Sequence, residues 1–502
     1  VSPERTPLLE TPSGTVSGTL RPSGTAVFRA VPVAAPHTDT DTRFAAPRPA
    51  PAWDGVRDCS DSREQLALRA TNTATVYAPV EATTAGIDSG PDRMPRPVVV
   101  FIHGGRYESG HGDELWYDGD ALSKQGCIVV TVNYRKRFEG FLPLDDASPS
   151  RFRAVDDLLH ALHWVHTMCD EFGGDTGNVT LAGQSAGGGL IAWLLTLREA
   201  DPLFHRAVLM SPGLPRGGGP RRWLSARLAL MAPGRPTDPL PRNYVDTLSP
   251  NQLRTAYRRF ASVHSTDCAV GPYPLDVTAL RPVPVMIGTM HDEFVTFPLV
   301  KDVDRVLRRV LRTLRLPSVI AAWLLAPTMR VLGVPLRTLR SWCRFAATEE
   351  PVRPLGRTVG DRMIRRWASA IADGLAAAGS EVWAYEFIGG RDGAKVGELG
   401  HYALHCGELP QLFDRLTVGR ADVAGACGPG AVERLGGEHG TASRFRQSVI
   451  NFAHGHAPDW GKYTLDQRTA QIYDMSGEPG TASAGTVTDP WRRVRELLGR
   501  LY

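Results

Sequence analysis

An α/β protein with a large, mostly parallel central sheet flanked by helices is the fold this sequence predicts. Three observations lead there. Pro97-Val-Val-Val-Phe-Ile-His and Cys127-Ile-Val-Val-Thr-Val-Asn-Tyr are short unbroken apolar runs rich in β-branched residues. Runs of that kind suit central strands buried on both faces. Between Arg151 and Cys169 the period changes: Val155, Leu158, Leu159, Leu162, Trp164, Val165 and Met168 recur mostly at helical spacing. A strand over Val179–Ala182 then runs through Gly183-Gln184-Ser185-Ala186-Gly187 into an apolar helix from Leu190, and a further strand follows at Phe204–Ser211. Strand, helix, strand, helix, strand is a βαβ series, which implies parallel pairing.

The remaining elements follow in order. Residues 15–20 and 26–33 alternate like short antiparallel strands, and Leu66 to Val80 alternates again. Residues 36–63, 82–96 and 212–243 are rich in turn formers and read as loops. Val283–Gly288 is a short core strand. Val303 to Leu339 is helical, at once basic and apolar, and is interrupted by Pro317, Pro327 and Pro335. An amphipathic helix spans Met363–Ala377, a strand spans Glu381–Phe387, and helices close the chain at Arg446–His454 and Trp491–Leu501. No repeat, low-complexity linker or clear boundary divides the chain, so a single domain over 1–502 is expected. Within it the segment at about 300–345 forms cap-like helices lining an apolar gorge, the reading preferred over an interfacial membrane helix because prolines interrupt the amphipathic face.

Bulk properties narrow the function classes. The 502 residues carry 57 basic and 53 acidic side chains, a net charge of +4 that is too small to argue for nucleic acid. No 18-residue window is free of charge and apolar throughout, so stable membrane insertion is not expected. The seven cysteines are odd in number and scattered with no CxxC pair, so they read as mostly buried thiols and no disulfide framework is inferred.

The chemistry centres on Ser185. A serine at a tight glycine-flanked strand-to-helix turn is pushed out of the sheet and placed at a helix N-terminus, whose free N–H groups favour negative charge. A hydroxyl is a weak nucleophile without a base, and the base needs an orienting acid; in turns of this type the chain order is serine, acid, histidine. The acid candidates lie in Met286-Ile-Gly-Thr-Met-His-Asp292-Glu293, directly after a core strand. The base candidates are His401 and His405, and an oxyanion-binding loop fits Phe101-Ile-His103-Gly104-Gly105-Arg106.

With these motifs in place the chain resembles the type B carboxylesterases, the cholinesterase-like family that includes the bacterial para-nitrobenzyl esterases, within the α/β-hydrolase superfamily. The resemblance runs through Arg43-Phe44, IHGG, Tyr117-Asp-Gly119, Val132-Asn-Tyr-Arg135, Phe172-Gly-Gly-Asp175, GQSAGG, GTMHDE, HCGEL and Asn451-Phe-Ala. It implies an α/β-hydrolase fold with Ser185 as nucleophile, Glu293 as acid and His405 as base. His405 stands three residues before Glu408-Leu409, as in the family's H-x-x-E-L pattern, an anchor His401 lacks. The backbone N–H groups of Gly105, Arg106 and Ala186 would form the oxyanion hole, with His103, Gly104 and Gln184 in support and Asp292 structural. The reaction implied is hydrolysis of a small, largely apolar ester, with no metal or organic cofactor, in a monomer or homodimer.

Several positions depart from the family pattern. Arg106 replaces the third glycine of the oxyanion loop, and its side chain either meets substrate charge or turns to solvent. Gln184 replaces a glutamate, Phe294 and Tyr402 replace glycines, and Ser211-Pro-Gly213 replaces serine–glycine–serine. Arg63-Glu-Gln-Leu66 stands where the family's first disulfide cysteine would be, which points to a reducing, cytoplasmic setting. Two other readings therefore stand beside hydrolysis. The same triad could drive acyl transfer, cyclisation or elimination in bacterial secondary metabolism, or the chain could be a silent cholinesterase-like binding protein.

Overall fold

The computed structural model describes residues 7–37, 42–60, 72–83, 95–145, 152–216, 220–235, 238–265, 267–315, 318–332, 334–348, 353–389, 402–416, 435–437, 440–475 and 485–498. His401, Arg63–Leu66, Cys427 and Pro317 lie outside them. The chain forms two compact units. The first comprises Val1–Leu209, Gly217–Ala279 and Arg446–Pro458; the second comprises Met210–Arg216, Leu280–Phe445 and Asp459–Tyr502.

In the first unit, β1 (Leu8–Thr11), β2 (Gly14–Ser17) and β5 (Val56–Asp58) make a small sheet. The larger sheet contains β3 (Thr19–Leu20), β4 (Thr25–Pro32), β6 (Thr73–Pro79), β7 (Arg96–Ile102), β8 (Ile128–Val132), β9 (Gly174–Gln184) and β10 (Arg206–Met210). Their order is β3-β4-β6-β8-β7-β9-β10. β7 pairs in parallel with both β8 and β9, whereas β4 and β6 bring antiparallel pairing to the other side. Every residue of β8 and all of β7 after Arg96 are buried, as their unbroken apolar runs require, and every residue of β6 is buried too although its sequence alternates. Helix α1 (Arg153–Met168) buries Val155, Leu158, Leu162 and Val165. Arg135 and Arg153 fasten the Arg43-Phe44 loop. Arg135 is buried against Asp157 (Nη2–Oδ1 2.7 Å) and donates to the Ala45 carbonyl, while Arg153 Nε donates to the Phe44 carbonyl at 2.6 Å. Buried ions of this kind persist only when paired.

Helix α2 (Ala186–Leu194) follows β9 directly. Two further helices, α3 (Pro220–Leu230) and α4 (Pro250–Ser262), lie later in the first unit. α3 corrects the expectation of a loop over 212–243. Its prolines and glycines flank the helix rather than interrupt it, and buried Arg222 ties it down by donating to the Cys268 and Ala269 carbonyls and pairing with Asp267 at 3.0 Å.

The second unit holds β11 (Val285–Met290), β12 (Val382–Ile388), β13 (Thr469–Asp474) and β14 (Thr486–Thr488). β11, β12 and β13 are parallel, and β14 closes the edge antiparallel to β13. The segment expected to be cap-like forms α5 (Pro298–Thr313), α6 (Ser318–Val331) and α7 (Leu336–Thr348). Then α8 (Pro354–Gly360) leads through a π-helical turn at Asp361–Arg365 into α9 (Arg366–Ala377), so the amphipathic helix expected from Met363 starts about two turns earlier. The closing helices are α10 (Thr441–Ala453) and α11 (Arg492–Leu498). No helix among the described residues is long and apolar enough to cross a membrane.

Candidate active site

Ser185 sits between β9 and α2 with φ 56° and ψ −117°, a left-handed backbone that side chains rarely adopt. The flanking glycines are dictated by space. A Cβ on Gly187 would collide with the Ile102 carbonyl oxygen of β7, and one on Gly183 would lie 2.8 Å from the Gly187 carbonyl carbon and from Ile191 Cδ1. The turn thus lets α2 begin hard against β7, and Ser185 itself is 6% exposed.

The loop after β7 lies against the same turn. A Cβ on Gly104 would sit 2.9 Å from Gln184 Oε1 and 3.2 Å from Ser185 Cβ. Gly105, Arg106 and Tyr107 all have positive φ, at 109°, 57° and 66°. Three successive left-handed residues fold the loop back so that the Gly105 carbonyl accepts from the Glu108 and Ser109 N–H groups. His103 holds the base of this loop. Its ring is fully buried, stacks on Tyr134 with centroids 4.5 Å apart, and has Nδ1 2.7 Å from the Gly104 carbonyl oxygen. A carbonyl only accepts, so Nδ1 carries the proton. Burial and the Lys136 charge push its pKa well below the ordinary value, so the ring is neutral. The Tyr134 hydroxyl donates to the His103 carbonyl at 3.0 Å. The Arg106 guanidinium resolves its two alternatives in a third way: Nη2 donates to the Asp267 carbonyl at 2.8 Å, tying the loop to the segment after α4.

In the second unit β11 ends at Met290, and the turn beyond it presents Glu293. The carboxylate is buried; Oε1 accepts from the Met290 N–H at 2.9 Å and Oε2 lies 2.5 Å from His405 Nδ1. The backbone repeats the pairing, since the His405 N–H donates to the Glu293 carbonyl at 3.1 Å. The bond to Glu293 fixes the proton on Nδ1 and leaves Nε2 as the basic nitrogen. Burial opposes protonation of His405, but the charge and hydrogen bond of Glu293 outweigh it and raise the pKa above the ordinary histidine value. Phe294 lies beside the imidazole with centroids 4.7 Å apart.

Asp292, one residue away, faces differently. It accepts from the Ala403 N–H and donates its own N–H to the Ala403 carbonyl at 2.9 Å, and it faces Arg353 at 3.5 Å and Arg357 at 3.7 Å. Although burial opposes it, the neighbouring His291 and the two guanidinium groups hold its carboxyl below the usual range. Asp292 therefore clamps the segment that carries His405. Tyr402, in that segment, stacks under the Arg353 guanidinium at 4.2 Å.

Glu408 is the residue whose place the sequence did not foretell. There it served only to anchor the histidine. In the structure Glu408 is 1% exposed, and burial together with the Glu293 charge pushes its pKa up to about 7. His405 and the nearby Ser211 hydroxyl, itself on a residue with φ 46°, act in the opposite direction. The four-residue pattern from His405 to Glu408 was the available signal, since one turn brings such residues together. No cluster of three or more His, Cys, Asp or Glu suited to a metal occurs among the described residues.

Part of the chain is similar to known esterases. Residues 5–215 match the family model described as the carboxylesterase family. The fumonisin B1 esterase of Sphingopyxis macrogoltabida is 34% identical over 226 residues, 41% of this chain and 40% of that protein. The para-nitrobenzyl esterase of Bacillus subtilis is 36% identical over 222 residues, covering 41% and 43%. The chain thus spans about two-fifths of the length of these curated relatives. Among solved structures, the carboxylesterase EST55 of Geobacillus stearothermophilus aligns over 97% of this chain and 99% of its own with a TM-score of 0.71 and 25% identity. With Ser185 at a left-handed strand-to-helix turn and His405 on a buried glutamate, the chain has an α/β-hydrolase fold and is similar over residues 5–215 to the carboxylesterase family.

Proposed function

We propose that the protein is a serine carboxylesterase that hydrolyses an ester of a small, largely apolar molecule through an acyl-enzyme on Ser185. The observation that carries this reading is the 2.5 Å contact between His405 Nδ1 and buried Glu293, which leaves Nε2 available as a base. Ser185 Oγ attacks the ester carbonyl while His405 Nε2 takes its proton. Glu293 holds the imidazole tautomer and stabilises the imidazolium. The backbone N–H groups of Gly105, Arg106 and Ala186 receive the oxyanion, a contribution worth about 3–4 kcal/mol for one donor. The alcohol leaves with the proton from His405. Water, deprotonated by the same imidazole, then releases the acid and restores Ser185.

The relatives support a small-molecule ester as substrate, since they include esterases named for fumonisin B1 and for para-nitrobenzyl esters. The test is hydrolysis of para-nitrophenyl acetate and butyrate by wild type and Ser185→Ala, with mass spectrometry after a fluorophosphonate probe. The expected result is a single adduct on Ser185 and a fall in kcat of about 10³-fold or more in the variant. Labelling of Ser185 without turnover would move the reading to acyl transfer, cyclisation or elimination. Neither labelling nor turnover would leave a silent binding protein.

A further inference from the structure

Helix α5 carries a side that the second unit leaves uncovered. Its buried residues include Val300 and Asp304, whose carboxylate accepts from the Leu355 and Gly356 N–H groups at the start of α8. Beside them, Val303, Val306 and Val310, with Leu314 just past the helix end, recur at three- and four-residue spacing and are 37%, 61%, 41% and 60% exposed. This is a continuous apolar stripe facing solvent. α6, which packs beside α5, adds exposed Trp323 and Leu324, and α7 opens on exposed Leu336.

The charge on this helix is one-sided. From Lys301 to Arg315 the chain has basic residues at 301, 305, 308, 309, 312 and 315 and acidic ones only at Asp302 and Asp304. Asp304 is spent inward on α8, and Asp302 pairs with Arg305 at 2.9 Å on the surface. The outer polar side of the helix is therefore strongly basic, with Lys301, Arg305, Arg309 and Arg315 exposed. An apolar stripe on one side and a basic side across the helix from it, on a helix too short and too charged to span a bilayer, is the chemistry of a helix lying in a membrane interface. Arginine stems can lie along apolar surface while their heads reach phosphate. A second copy of this chain would bring a second set of arginines against the first, so charge favours an anionic surface over self-association.

We propose that α5 docks the protein onto bilayers containing anionic lipid, with Val303, Val306, Val310 and Leu314 entering the interface and the arginines meeting the headgroups. The proposal does not rest on Ser185. It is tested by sedimentation of the full chain with phosphatidylcholine vesicles and with vesicles in which about a third of the lipid is phosphatidylglycerol. The expected result is binding at least about tenfold tighter to the anionic vesicles and weakening with added salt. A Val306→Asp, Val310→Asp double variant, changed only at exposed positions, should lose that binding while its thermal melt and its hydrolysis of para-nitrophenyl acetate match wild type. Equal binding by the double variant, or no binding by a wild type that melts cooperatively, overturns the proposal. So does light scattering that shows a wild-type dimer split by the double substitution without any vesicle binding, which would make the stripe an interface between copies.

Discussion

At the scale of single residues, His405 and Glu408 share one electrostatic problem. His405 must be neutral to accept a proton, and Glu293 raises its pKa. Activity therefore falls as pH drops through that raised value. The buried Glu408 charge contributes in the same direction. Glu408→Gln removes it without removing bulk, so the acid limb of the kcat/KM profile should move to lower pH, read with a para-nitrophenyl ester between pH 5 and 8. An unchanged limb would mean that Glu408 is neutral throughout. The sign for stability is the reverse. A histidine that binds its proton more tightly when folded contributes fully below its unfolded value of about 6.5, and that contribution is lost as pH rises through the folded value. The pairing of His405 with Glu293 was legible in the sequence through chain order and the H-x-x-E-L pattern. The environment of Glu408 was not, because burial is a property of what surrounds a side chain. Nor was the Arg106 contact with the Asp267 carbonyl, which joins residues far apart in the chain.

At the scale of elements, the junction of β7, β9 and α2 turns on missing side chains. Gly187→Ala sets two effects against each other. Alanine favours the helix by about 1 kcal/mol over glycine. Its Cβ, however, meets the Ile102 carbonyl oxygen, a backbone atom of a strand held in parallel pairing on both sides. Overpacking against a fixed neighbour costs about 1–3 kcal/mol or more, so sterics win. A lower melting temperature and lost esterase activity are expected by circular dichroism and turnover; an alanine variant that melts higher would show that β7 yields. The strands of this junction were readable because a strand buried on both faces has an unbroken apolar run. α3 was not, because its signal is in arginines that reach distant carbonyls, and local turn formers at its ends outweighed them.

For the whole molecule, the described cysteines carry no cross-link. Cys59, Cys127, Cys169, Cys268 and Cys343 are buried thiols and Cys406 is half-buried. Burial raises the pKa of Cys127 and Cys169 to about 12, so these thiols stay protonated and inert. Dithiothreitol should leave the melting temperature unchanged in differential scanning calorimetry, whereas a drop of several degrees would reveal a disulfide. Each of the two compact units gathers stretches from distant parts of the sequence, which no local pattern of residues announces.

The backbone at Ser185 makes one residue a gauge of what selection has held in place. At φ 56° and ψ −117° glycine is at ease and any other residue is not. Such a conformation costs of order 1–3 kcal/mol, against about 0.5–1 kcal/mol for the extra chain freedom of an unfolded glycine. Ser185→Gly should therefore melt above wild type and Ser185→Ala should not, while neither turns over ester. The difference between those two variants measures how much robustness the native protein forgoes to keep its hydroxyl where it is.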